Sequence, residues 1–426
     1  MNDIRFALAS KPVVIILAVS AVIRMLFHFI LLPKSPSAFG PDEGTYALLA
    51  NYVSKGLPVE EFPLYGPGLY NSAKSIILPS ALMLKLGVEE LSAVRLIASG
   101  YGLLSNIFLI LSFIAYLRLH NSNNARLTYG LDNRFIAFFV IFAFFPSNFI
   151  WSTIGLRESG SSFWLLTTFY FILKLLGSTG RDKWKFTMLS ALGLTFAHGA
   201  RPETALVFSI VALLFSVFLL VKFRKVWPMI AILIGIFAGQ SFTSTPEAPT
   251  APTAPTAPTQ SKRINPLGTL QKQILTIKVL EKQRSVNSLN AESALPLSDC
   301  QKLSRDLLIV IRCNLRELPY RLFAFLFRPL IFYDQGSPTQ TFAALENLAW
   351  IILVPLSIWL SVYRGQNSVD RFVNLSLISY VLLFASAAAL YEGNLGTAFR
   401  HKSTILWPLI FILITSQRVF PKIKSE

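Results

Sequence analysis

Long apolar runs broken by short polar clusters dominate this chain, and their lengths predict helices that cross a bilayer core of roughly 20 residues. Ten such segments are expected at about 12–33, 92–117, 135–154, 160–177, 186–200, 203–221, 226–243, 346–363, 372–390 and 403–417. The fifth is short. The first run is followed by no small-residue cleavage site, so it is expected to stay as an anchor. The pattern predicts an all-α polytopic membrane protein with an N-terminal transmembrane bundle over 1–243, an outer loop over 244–345 and C-terminal transmembrane helices over 346–426.

Basic residues set the orientation. Arg5 and Lys11 precede the first span, and Arg118, Arg126 and Arg134 fill the second connection. Arg181, Lys183 and Lys185 fill the fourth, Lys222, Arg224 and Lys225 the sixth, and Arg364 and Arg371 the eighth, while Arg418, Lys422 and Lys424 end the chain. With ten spans all fall on one face, which places both termini in the cytoplasm of a cell whose plasma or inner membrane holds the chain. The remaining polar clusters, "GPDEGTY", "STIGLRESG", "AHGARPE", "FRPLIFYDQGS" and "YEGNLGTAFRHK", then share the extracytoplasmic face.

Two outer stretches are long. Within 34–91, "TYALLANYV" sets Tyr46, Leu49, Ala50 and Val53 on one helical face, and Gly56 supplies a stop, predicting a helix that lies along the membrane surface. The second stretch opens with "APTAPTAPTAPT" from Ala248 to Thr259, an extended tether of roughly 37 Å at ~3.1 Å per residue. Beyond it, Leu267, Leu270, Ile274 and Ile277 form the stripe of an interfacial helix. Arg305, Arg312, Arg316, Arg321 and Arg328 stud the apolar run that follows, which fits a helix or helix pair at the headgroup level better than a span. They serve either lipid phosphates in general or the phosphate of a lipid-linked substrate. Cys300 and Cys313 are the only cysteines, and thirteen residues of unbroken helix would hold them about 20 Å apart, so a disulfide needs a bend between them.

Composition changes the picture in one respect. The chain is 53% apolar and 14% charged, with a net charge of +17. In a soluble domain that charge points to nucleic acid. Here Lys and Arg gather at the ends of apolar runs, which assigns them to topology and anionic lipid, with no nucleic-acid partner.

Candidate chemistry lies in the outer clusters, because polar groups at membrane depth are costly to keep. Asp42 and Glu43 suit a helix start, where the dipole favours acids. A carboxylate there also suits a general base that deprotonates an incoming hydroxyl. Arg157 and Glu158 are adjacent, so on a helix they point about 100° apart; Arg157 suits a phosphate and Glu158 an orienting or acid–base role. Pro202 suits the first position of a helix, with Glu203 favouring its N-terminus and His198 and Arg201 beside it. Arg400, His401 and Lys402 put cationic or proton-active groups beside the last span, against the topology rule, and favour an anion. No HExxH, P-loop, Rossmann glycine fingerprint or nucleophile elbow occurs.

"PDEGTYALLANYVSKG" resembles the first outer loop of the GT-C superfamily of membrane glycosyltransferases, in particular bacterial relatives of the protein mannosyltransferases and the lipid A aminoarabinose transferase. "PLYGPGLYNSAKSIILPSALMLKLGVEELSAVRLIASGYG" is similar to the turn and second span that follow in that family, and "FRHKSTILWPLIFIL" to the start of a late span, with His401 where an aromatic is usual. The likeness covers the first 120 residues best; "LRESG" and "FRPLIFYD" depart from the well-studied members. The resemblance implies a GT-C-like bundle with membrane-parallel helices in two outer loops. It also implies an inverting glycosyltransferase using a polyprenyl-phosphate-linked sugar and a glycan, lipid or protein acceptor. Asp42, Glu43 and Glu158 would be catalytic; Tyr46, Arg157, Arg201, Glu203, Arg328, Arg400, His401 and Lys402 would bind substrate. No cofactor is required, although Asp42, Glu43 and His401 together have the chemistry to hold a divalent cation weakly. A polysaccharide polymerase or ligase would explain the outer cations without Asp42, and a lipid-linked glycan transporter would need polar residues along the span interiors.

Overall fold

Apolar runs of this length have no stable alternative to helix in lipid, because each backbone group must be satisfied within its own segment. The computed structural model describes residues 2–32, 42–62, 66–120, 131, 133–243, 307–332, 334, 338–363, 368–392 and 395–416; these are helical almost throughout, and no strand occurs among them. The Ala-Pro-Thr tether, the stripe at 267–277, Arg305, Cys300 and the side chain of Cys313 lie outside the described residues.

In chain order the helices are α1 (Asn2–Ala9), α2 (Lys11–Leu26, prolonged by a π-turn over Phe27–Leu31), α3 (Asp42–Ser54), α4 (Gly66–Lys85), α5 (Glu90–His120), α6 (Asn133–Phe144), α7 (Pro146–Thr153) and α8 (Arg157–Gly177). There follow α9 (Asp182–Ala200), α10 (Pro202–Phe223), α11 (Trp227–Thr243), α12 (Leu307–Phe327), α13 (Pro338–Tyr363), α14 (Ser368–Tyr391), α15 (Leu395–Lys402) and α16 (Leu406–Ser416). Among the described residues six helical stretches are long and apolar enough to cross a membrane, in α2, α5, α8, α10, α13 and α14. The pair α6 and α7, bent by 45°, makes a seventh if it counts as one span. Pro146 causes that bend: it occupies the first turn of α7 and holds Phe145 out of the helical region. The expected spans at 186–200, 226–243 and 403–417 are helical, but α9 is not apolar enough, while α11 (17 residues) and α16 (11 residues) are short. These helices point to a bilayer as the chain's environment. The arginine-studded run forms α12, which is not among the apolar spans.

Two compact units form. One contains Met1–Thr243, Ile352–Phe384 and Lys402–Glu426; the other contains Ser244–Ile351 and Ala385–His401. In the first, α16 is buried along its whole length, and Trp407 packs with Phe169, Phe208 and Tyr380 at ring separations of 5.4, 6.4 and 6.3 Å. Helices α9 and α11 meet through small residues. A Cβ on Gly235 would fall 2.9 Å from Leu194, and one on Gly239 2.6 Å from the His198 ring. Gly235 and Gly239 form a GxxxG spacing, the usual device for close helix approach in lipid.

The first unit carries different chemistry at its two ends. Asp3 of α1, buried at 3% exposure, accepts from Tyr170 Oη at 2.9 Å, lies 3.0 Å from Lys174 Nζ and pairs with Arg118. Arg118 and Lys174 lie near the C-terminal ends of α5 and α8, whereas Arg95 and Glu158 lie at their starts. At 1.5 Å per residue Arg95 and Arg118 are about 35 Å apart along α5.

Candidate functional site

Helix α3 begins at Asp42, so both acids stand in its first turn. The face predicted from spacing is the buried one: Tyr46, Leu49 and Ala50 are at 3%, 0% and 0% exposure, and Val53 is half-buried. Glu43 points into the bundle, fully buried, and both its oxygens meet the guanidinium of Arg95, at 2.8 Å from Nη2 and 3.0 Å from Nε. A buried carboxylate survives desolvation only with such a paired partner. Asp42 is half-buried.

The "STIGLRESG" turn closes on that pair. Gly155 adopts φ +61°, and a Cβ there would lie 3.0 Å from Val94 and 3.4 Å from Glu43 Oε2. Two residues on, α8 starts at Arg157, and the adjacent charges diverge as expected. Arg157 donates to the carbonyl of Ser72 at 3.1 Å and lies 3.6 Å from Glu203. That carbonyl is available because α4 kinks at Ala73 (φ −139°, ψ 16°). Glu158 instead pairs with Arg201 at 2.9 Å, each at 1% exposure, and Arg201 Nε donates to Glu203 at 2.9 Å. Arg201 has extended backbone between α9 and α10, with Pro202 opening α10, so its side chain turns inward where two helices break.

Lys74 was missing from the sequence-derived candidates. Its Nζ donates to the carbonyl of Phe242 and sits 5.1 Å from the Tyr70 ring and 5.4 Å from the Phe242 ring. Burial holds its ammonium below the ordinary lysine value. The available signal was a lysine near the middle of α4, just ahead of its apolar half, inside the stretch expected on the outer face. Along the other side of α3 runs a cleft of about 710 Å³, lined by Gly44, Ala47, Asn51, Lys55, Leu84 and Glu89.

The later candidates are placed apart in the chain. In the second unit Arg328 forms a two-pronged pair with Asp334, its Nε 3.1 and 3.0 Å from the two oxygens, and the N–H of Leu330 donates to Asp334 at 2.8 Å. Burial works against ionisation of Asp334, but these donors outweigh it and hold its carboxyl below the ordinary value. His401 pairs through Nδ1 with Glu392, both buried, and Arg400 is half-buried. Lys402, counted with the first unit, is fully buried. Among the described residues no group of three or more His, Cys, Asp or Glu side chains is arranged to hold a metal. No protein-family model matches the chain, and neither a curated protein nor a solved structure matches it.

Proposed function

We propose that the chain is a membrane glycosyltransferase that moves a sugar from a polyprenyl-phosphate carrier to a glycan, lipid or protein acceptor on the extracytoplasmic face. One observation carries the reading: Gly155 docks the Arg157 turn against the Glu43–Arg95 pair, gathering Asp42, Arg157 and Lys74 at one end of the first unit. That end is opposite the one where α1 is anchored by Asp3. On this reading α9, α11 and α16 complete ten crossings in a GT-C-like layout.

Asp42 accepts the proton of the acceptor hydroxyl as its oxygen attacks the anomeric carbon, while the bond from that carbon to the phosphate oxygen breaks with inversion. The carrier leaves as a phosphate monoester that has gained one negative charge. Arg157 and Lys74 stabilise that charge, which grows only as the bond breaks. Glu43 and Glu158 act as positioning residues, the first fixing α3 on α5 and the second fixing Arg201. The cleft beside α3 receives the acceptor.

Purified Asp42→Asn protein in proteoliposomes with lipid-linked sugars extracted from the native membrane provides the test. Transfer is expected to fall at least 100-fold, a typical share for general-base catalysis, with donor binding kept. Arg157→Ala is expected to lower the maximal rate of transfer with little change in the donor concentration required. Unchanged transfer by well-folded Asp42→Asn protein would sink the assignment.

A further inference from the structure

Between Pro12 and Leu32 the first span contains three polar side chains, Ser20, Arg24 and His28, spaced four residues apart. Four-residue spacing puts them on one helix face. That face is turned into the protein, at 0%, 2% and 6% exposure, while Val22, Met25, Phe29 and Ile30 on other faces are exposed. Arg24 therefore lies inside a membrane span with little access to water.

Its partners are neutral. Nε donates to Ser152 Oγ at 3.3 Å, Nη1 donates to the carbonyl of Ser20 at 3.3 Å and to the Ser20 hydroxyl, and the guanidinium lies 4.8 Å from the centre of the Phe149 ring. Asn106 Nδ2 also donates to Ser20 Oγ, at 3.3 Å. Among the described residues Nη2 of Arg24 has no partner, and neither has Nδ1 of His28 one turn further on. The other two deeply buried guanidiniums of this unit, Arg95 and Arg201, each face a carboxylate at 2.8 or 2.9 Å. Arg24 has none. A charge buried without a counter-charge is among the costliest arrangements in lipid. The span also widens into a π-turn at Phe27–Leu31, a feature that recurs at functional sites.

We propose that Arg24 and His28 form an anion site within the first span that takes a phosphate monoester, with Nη2 and the Nδ1–H of the neutral His28 ring donating to its oxygens. A tetrahedral phosphate presents oxygens on several sides, which suits two donors set one helical turn apart better than a planar carboxylate does. Arg95, Glu43 and Glu89 are the charged groups that reach His28. The site takes no part in the transfer described above, and its residues differ from those assigned there.

The phosphate belongs to a lipid headgroup or to free phosphate, and titrations of the full chain in neutral detergent separate the two. Lysophosphatidic acid is compared with the monoacylglycerol that lacks its phosphate, and inorganic phosphate forms the third arm. Thermal unfolding and native mass spectrometry read binding. Lysophosphatidic acid is expected to raise the unfolding temperature where the monoacylglycerol does not, and R24Q and H28Q are each expected to weaken binding at least tenfold. An equal effect from inorganic phosphate supports the same site with free phosphate as its ligand. R24Q alone, without ligand, is expected to unfold no earlier than the natural chain, since it removes an uncompensated charge. H28Q buries no charge and keeps the test alive if R24Q does not fold. The proposal is overturned if neither phosphate compound binds, if the monoacylglycerol binds equally well, or if H28Q binds within twofold of the natural chain.

Discussion

Glu43 and Arg95 are 52 positions apart, and nothing local in either stretch pairs them. Spacing identified the buried face of α3, but a partner in another helix is a property of packing. The structure makes breaking the pair costly from either side: Glu43→Ala or Arg95→Ala is expected to lose about 3–5 kcal/mol, because the survivor stays buried without the opposite charge it faces now. The double change Glu43→Leu with Arg95→Met is expected to recover much of that loss, and unfolding in detergent distinguishes the cases. Gly155→Ala belongs to the same locus. With φ at +61° and a new Cβ 3.0 Å from Val94, it is expected to cost about 1–2 kcal/mol through backbone strain alone, seen as a lower unfolding temperature. At Asp334 the sign runs the other way from a base. Its carboxyl is held below the ordinary value, so its contribution is present above the unfolded value and fades as pH falls through the lowered folded one. Asp334→Asn is therefore expected to unfold earlier than the natural chain at neutral pH, with the gap closing below about pH 4. The stripe of Ser20, Arg24 and His28 was legible in the sequence as a four-residue rhythm, yet its meaning depended on which side of the span faces the protein.

Apolar length was the strongest signal for elements, and among the described residues each of the ten expected spans is helical in the main. The departures have physical causes. Helix α16 is short yet wholly buried, so its run reads as a span although protein surrounds it. Helix α13 starts at Pro338, eight residues before the expected span at 346, because polar Thr339, Gln340 and Thr341 and the apolar residues 342–345 continue the helix ahead of Glu346. Small-residue spacing also went unused, since a glycine pair in an apolar run has no visible partner until the helices pack. Gly239→Ala would drive a methyl to 2.6 Å from the His198 ring and is expected to lose about 1–3 kcal/mol by overpacking. Gly100, which has open space around its would-be Cβ, provides the comparison: Gly100→Ala is expected to gain about 0.4–1 kcal/mol. Thermal unfolding of the two variants in the same detergent checks the contrast, and equal gains would mean that helix propensity, not the α9–α11 approach, governs both.

At the scale of the first unit, the two ends differ in chemistry and are separated by the length of a span. Asp3, Arg118 and Lys174 mark one end; Glu43, Arg95, Glu158 and Arg201 mark the other. On the proposed function, charge bias in the loops puts the first end on the cytoplasmic side. The carboxylate of Asp3 does not weaken that assignment, because acids contribute little to topology and this one is already neutralised by cations. Two exposed positions test sidedness in intact cells with Cys300 and Cys313 replaced by serine. Glu60 lies just beyond α3, and Lys185 lies in the first turns of α9. Glu60→Cys is expected to react with a membrane-impermeant maleimide from outside, and Lys185→Cys only after permeabilisation. The reverse pattern would place the Asp42 cluster in the cytoplasm and remove its access to an outer acceptor. Labelling of both from one side would break the link between helix length and crossing, since α5 could not then separate its two ends across the bilayer.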